Sequence, residues 1–243
     1  MNHYKSQLLA CDFLTVETLF LKTIYIFFFL EVGARRVHIA GITEHPNGQG
    51  VAQQARNFGW FLQEHDNNYV CLIRDNDSKY TDSFDTAFES EGINIICTPF
   101  KAPNANSFAE RWVKTLRVEC LDNLLVVNES HLRRVLSEYV DYYNSRRPHQ
   151  GLDQHTPIPS PPPEPSGLIQ RRKILSGIIN DYFRIPEVTV VSIIRNRLKT
   201  TRQQITQMCN QGTFATSMTR SSVIGSQFKA GRLRNGGRSS EAG

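Results

Sequence analysis

Apolar residues open this chain in long blocks with little alternation. Residues 7–15 (QLLACDFLT) and 20–32 are almost continuously apolar, and a third block, 37–42, follows the short connector Gly33-Ala-Arg-Arg. Blocks rich in β-branched and aromatic residues predict strands covered on both faces, the second and third pairing as a hairpin. Turn chemistry at His45-Pro-Asn-Gly-Gln-Gly closes that unit. The period then changes. Val51, Ala55, Phe58 and Phe61 or Leu62 recur at helical spacing within residues 51–65. Residues 69–73 (YVCLI) read as a short mid-sheet strand. Residues 82–91 read as a helix packing Phe84, Ala87 and Phe88, stopped by Gly92, and residues 93–97 as the last strand. After a Pro/Asn loop, a helix from Ser107 carries Phe108, Trp112, Val113 and Leu116. Another from about Asn128 carries Leu132, Val135, Leu136, Tyr139, Val140 and Tyr143.

This order, β-β-β-α-β-α-β-α-α, predicts an α/β fold: a mixed five-stranded sheet with helices on both faces. Residues 157–165 (PIPSPPPEP) cannot continue a helix or a sheet, so the expected organisation is a core over residues 5–155, a Pro-rich linker over 156–166 and an extension over 167–243. The extension starts with a weak strand-like pattern over 167–183, and disorder is expected from about Thr200, where Ser, Thr, Gly, Gln and Arg dominate. Charge divides at the same place. Of 28 Lys+Arg and 23 Asp+Glu, 13 basic and 3 acidic residues lie from Arg171 onward, which leaves 15 against 20 before it. A mildly acidic core therefore carries a basic extension suited to a polyanion, or merely solvated.

The apolar run over residues 19–30 (LFLKTIYIFFFL) is too short to span a membrane, which takes roughly 20 residues, and it holds Lys22. It reads as a central strand, and no membrane partner is expected. The five cysteines form no CxxC pair and share no metal-ligand spacing with the seven histidines, so buried free thiols in a reducing cytoplasm are expected.

Three carboxylates stand out by position. Asp12 interrupts the first apolar strand, where a charge is costly unless paired, hydrogen-bonded or metal-bound. Asp75 follows the strand YVCLIR, where chemistry collects in open α/β sheets, although DNDS is equally a turn string. Glu110 lies in the first turn of a helix, with Lys114 and Arg117 at i+4 and i+7. A capping box with Ser107 or a surface Glu–Lys pair would also explain it. In combination, two carboxylates from strand ends and one from a helix start suit a pair of hard divalent cations poised for phosphoryl transfer, with the flanking basic residues holding a DNA backbone.

Four strings occur in order: LLACDFLTVET, IRDNDSKYTDSF, TPFKAPNANSFAERWVKTLRVECLD and YNSRRPHQGL. Together, over roughly residues 5–155, they resemble the catalytic core of insertion-sequence transposases and retroviral-type integrases, the DDE group with an RNase H-like fold. The resemblance implies that Asp12, Asp75 and Glu110 are the catalytic triad and bind two Mg²⁺ (or Mn²⁺). Water or a 3′-hydroxyl would then attack a DNA phosphodiester with no covalent enzyme–DNA intermediate. It also implies DNA contacts from Lys114 and Arg117, transposon ends and target DNA as partners, a homo-oligomeric working form, and a cytoplasmic, nucleoid-associated location if the source is bacterial. Arg146 and Arg147 match a family signature that either binds phosphate or anchors the last helix, and anchoring is the reading favoured here.

Two departures from the family pattern matter. Asp75 and Glu110 have 34 residues between them, one fewer than the DD-35-E label implies, and Asp77 stands where many members have Gly. Asp77 is therefore a rival second ligand, although the Ser-Lys-Tyr that follows lines up with Asp75. The expectation is that Asp77 points away from the site. The stretch ahead of the first strand leaves no room for a helix-turn-helix that would read transposon ends. The alternative reading is accordingly a truncated, catalytically inactive transposase remnant that only binds DNA.

Overall fold

The structure is a computed structural model that describes residues 4–65, 69–99, 106–161 and 166–185, with 199–200, 203–204 and 206–207. The expected disorder from about Thr200, part of the Pro/Asn loop and residues 162–165 of the Pro-rich linker lie outside the described residues. Residues 1–163 with 169–184 group into one compact unit, and 164–168 with 185–243 into another.

The first unit is built on β1 (Leu8–Glu17), β2 (Thr23–Glu31), β3 (Val37–Thr43), β4 (Cys71–Arg74) and β5 (Asn94–Cys97). They lie in the order β3-β2-β1-β4-β5. β1, β2 and β3 pair antiparallel, whereas β4 and β5 run parallel to β1. Four helices cover the sheet: α1 (Gly48–Glu64), α2 (Asp82–Glu89), α3 (Ser107–Glu119) and α4 (Glu129–Ser145). This is the mixed five-stranded sheet covered by helices that the sequence predicts.

Why the first blocks are so continuously apolar follows from the two layers. Alternate residues of β2 serve opposite faces: Ile26, Phe28 and Leu30 join α3 and α4, whereas Phe27 and Phe29 join α1 and α2. On the first face Phe28 packs against Trp112 with ring centres 4.2 Å apart. On the second, Phe29 stacks on Phe58 at 4.1 Å. The second strand begins later than its apolar pattern. Leu19, Phe20 and Leu21 form an exposed hairpin tip, with Leu21 at φ 58. α1 begins earlier than its apolar stripe, because the Asn47 side chain accepts from the Gly50 N–H and caps it. No helix among the described residues is long and apolar enough to cross a membrane.

One sequence expectation needs correction. Thiol burial is uneven: Cys11 and Cys120 are buried, but Cys71 is half-buried and Cys97 exposed at the end of a short strand. The weak pattern after the linker is a two-stranded hairpin, β6 (Leu168–Ile174) and β7 (Ile179–Ile185). Residues 169–184 of it belong to the core unit. Ile174 and Leu175 enter the α3/α4 apolar cluster, and Glu138 of α4 accepts the Leu175 N–H at 2.7 Å.

One buried amide ties the last helix to the sheet edge. Asn144 of α4 accepts from the Val37 N–H at 3.0 Å and donates to the Val37 carbonyl at 2.8 Å. Asn144→Ala leaves both groups unpaired inside the protein. Urea unfolding is expected to show a loss of roughly 2–4 kcal/mol, and a loss below about 0.5 kcal/mol would contradict this role.

Candidate active site

β1 and β4 part company in mid-sheet. Their parallel pairing runs only from Leu8↔Cys71 to Ala10↔Ile73, while β1 stays paired with β2 as far as Glu17. A crevice therefore opens at the carboxyl ends of the two parallel strands, the usual place for chemistry in such sheets. Asp12 lies two residues past the last pair, and Asp75 directly follows the last residue of β4. By strand alternation Asp12 shares its face with Ala10 and Leu14, the face beneath α3 and α4. Glu110 sits in the first turn of α3.

Local bonds fix each position. Arg74 grips Asp85 of α2 through Nε at 2.9 Å and Nη2 at 2.7 Å, and its Nη1 donates to the Asp75 carbonyl at 2.8 Å. The buried Asn106 donates from Nδ2 to the Cys11 carbonyl at 3.2 Å, which ties the start of α3 to the strand residue beside Asp12. Sequence reasoning missed both residues. Their only signals are a charged end to an apolar strand and an Asn just ahead of the helix.

The electrostatics link the three carboxylates. Burial pushes the Asp12 carboxyl up to about 6, against the pull of the Phe13 N–H, which it accepts at 2.7 Å. Asp75, Glu110 and Asp77, in that order, add repulsion in the same direction. No basic side chain pairs with Asp12, Asp75 or Glu110 among the described residues. The two alternatives for Glu110 are not formed there: α3 has no side-chain cap bond, and Lys114 makes no ion pair. Asp77 is differently placed, since its carboxylate accepts from both the side chain and the backbone N–H of Lys79. As the side chains stand, no three His, Cys, Asp or Glu among the described residues are grouped to hold a metal ion. The donor set nonetheless fits a hard cation: carboxylate oxygens within mutual electrostatic reach, unneutralised by protein.

The sequence of residues 91–157 matches the integrase core domain family. The match covers 67 of the chain's 243 residues. The matched stretch includes Glu110, Lys114, Arg117, Arg146 and Arg147, and leaves Asp12 and Asp75 outside it. No curated protein matches the sequence. Among solved structures, the simian T-cell lymphotropic virus intasome in complex with PP2A regulatory subunit B56 gamma is similar at TM-score 0.49 and 14% identity, over 74% of this chain and 67% of that one. The catalytic core domain of BIV integrase is similar at 0.43 and 18%, over 63% and 91%. The catalytic domain of Mos1 mariner transposase is similar at 0.47 and 14%, over 56% and 71%.

The basic residues of α3 and the end of α4 divide by environment. Lys114 is exposed on α3, and Arg117 donates from Nη2 to the Thr15 carbonyl at 3.0 Å. Arg146 pairs with Asp141 at 3.1 Å. Arg147 forks onto Glu119 through Nε and Nη2, as close as 2.6 Å, and Glu119 also accepts from the Tyr139 hydroxyl. His149 is buried against Tyr143 and bonds its carbonyl.

The raised Asp12 carboxyl has a direct consequence for stability. In the unfolded chain it titrates near its ordinary 3.8, and in the folded protein near 6. Its contribution favours folding most below the lower value, declines between the two, and is lost above the upper one. In EDTA, Asp12→Asn is therefore expected to be more stable than the parent at pH 7.5 by roughly 1–3 kcal/mol, with the gap closing by about pH 4. Thermal melts across that range check this, and an Asn variant less stable at pH 7.5 would refute it.

Proposed function

We propose that this integrase core cuts and joins DNA strands in transposition or integration, with Asp12, Asp75 and Glu110 as its catalytic carboxylates. One observation carries the reading. Asp12, Asp75 and Glu110 come from three separate elements, Asp75 and Glu110 both repel the half-buried Asp12, and none of the three has a protein cation among the described residues. Like charges left without a protein counter-ion suit hard divalent cations.

In this reading the three carboxylates would hold two Mg²⁺ or Mn²⁺. When bound, such ions supply charge neutralisation at the scissile phosphodiester and ready a water or 3′-hydroxyl for attack. The protein's part is positional. Arg74 donates to the backbone of Asp75, and Asn106 anchors the start of α3, the helix that carries Glu110. Lys114, with its ammonium exposed, and Arg117 would hold DNA backbone along α3. Arg147, committed to Glu119, and Arg146, paired with Asp141, would act mainly by holding the end of α4 in place. Two DNA ends processed together would require an oligomer.

A second reading is the inactive DNA-binding remnant. Its support is that the side chains, as they stand, form no ready-made metal-holding group among the described residues. Nicking of supercoiled plasmid separates the two. The active reading predicts relaxation with Mg²⁺ or Mn²⁺, none in EDTA, and a fall of about two orders of magnitude or more in Asp75→Asn. Salt-sensitive DNA binding by the folded chain without any nicking would establish the remnant instead.

A further inference from the structure

Two basic side chains meet the ring of Phe108 in the first turn of α3, and a third comes close beside them. Lys5 Nζ lies 5.8 Å and Arg35 Cζ 4.6 Å from the Phe108 ring centre. Arg111, exposed and one helical turn after Phe108 on α3, stands on the same side of the helix as that ring. Burial and then repulsion from Arg111 hold the Arg35 guanidinium below its ordinary value. None of the three has a carboxylate partner among the described residues. Arg74, Arg133, Arg146 and Arg147, by contrast, are each paired with an acid.

The backbone makes unusual concessions to assemble this group. A Cβ at Gly33 would lie 2.7 Å from the Ser6 Cα, so only glycine lets residues 5–6 cross the β2–β3 turn. Arg35 itself is left-handed at φ 62, an uncommon conformation for a residue with a side chain. A Cβ at Gly151, in the RRPHQGL string, would come within 3.0 Å of Arg35 Nη2. Two glycines and one strained arginine thus hold three unneutralised cations around one aromatic ring. Repulsion among them disfavours that arrangement unless a polyanion supplies the missing charge.

We propose that Lys5, Arg35 and Arg111, gathered around Phe108, form a phosphate-binding shelf for the DNA duplex beside the cleavage site. The proposal rests on the reading of Asp12, Asp75 and Glu110 as a DNA-cutting centre, because the shelf begins at the residue next to Glu110. Stacking on Phe108 pre-orients the Arg35 fork, so less side-chain freedom is lost when it meets a phosphate. The shelf extends the basic surface of α3 towards the β2–β3 turn and reads no sequence, since phosphate contacts position a duplex without identifying it.

Fluorescence anisotropy with a labelled mixed-sequence duplex in EDTA, over a KCl series, tests the shelf. The variants are Arg35→Gly, which relieves the left-handed backbone, Arg111→Gln on the exposed side of α3, and Lys22→Gln as a control at an exposed lysine paired with Glu44. Each shelf variant is expected to reduce the slope of log K against log[KCl] by about 0.9, and the control to leave it unchanged. If the parent binds duplex and both shelf variants keep its slope, the shelf is wrong and the DNA reading stands. If the folded parent binds no duplex, the DNA reading fails and the shelf with it. Should Arg35→Gly not fold, Arg111→Gln decides alone.

Discussion

Repulsion among carboxylates at the mouth of the β1–β4 crevice is the constraint around which this site is arranged. Asp12 is carried into the sheet by a strand that must be apolar on both faces, and Asp75 and Glu110 from two other elements repel it. Two cations stand nearby, and each is committed elsewhere. Arg74 grips Asp85, and Lys79 holds Asp77. The neighbouring basic residues therefore shape the loops around the site without neutralising it. An exposed cluster could tolerate this through water, but Asp12 is largely withdrawn from solvent, and its carboxyl is shifted upward as a result.

α3, which carries Glu110, is anchored at its start. Asn106 makes a buried bond to the Cys11 carbonyl, and Trp112 and Leu116 are buried against β1 and β2. Further along, Arg117 meets the Thr15 carbonyl, so the helix touches β1 on both sides of Asp12. Past the helix, Glu119 gathers Arg147 and Tyr139, which fixes the end of α4 relative to the end of α3. The RRPH string thus serves the scaffold that presents Glu110.

Much of this was legible in the chain itself. Continuous apolar blocks gave the buried strands, and the 3.6-residue period gave all four helices, because both signals arise from which faces must be covered. Asp12 was conspicuous for the physical reason that makes it important, a charge where none is tolerated cheaply. What escaped notice depended on distance. Arg74, Asn106 and Arg35 act on residues far along the chain or across a turn, and nothing in their immediate neighbours reveals the partner. The exposed tip at Leu19, Phe20 and Leu21 was misread as strand because apolar character does not by itself separate a buried run from a tight turn. The β6–β7 hairpin was obscured by polar residues at half of its strand positions. Its docking relies on few contacts, Ile174, Leu175 and the Glu138 carboxylate among them.

The central claim is that Asp12, Asp75 and Glu110 together take up divalent cation. Crystals of the chain grown with Mn²⁺ and measured at a wavelength where manganese scatters anomalously would test it most directly. The account predicts anomalous peaks bounded by these three carboxylates, with Asp77 still turned to Lys79. Peaks at Asp77 or Asp85, or none at the crevice at millimolar Mn²⁺, would contradict it.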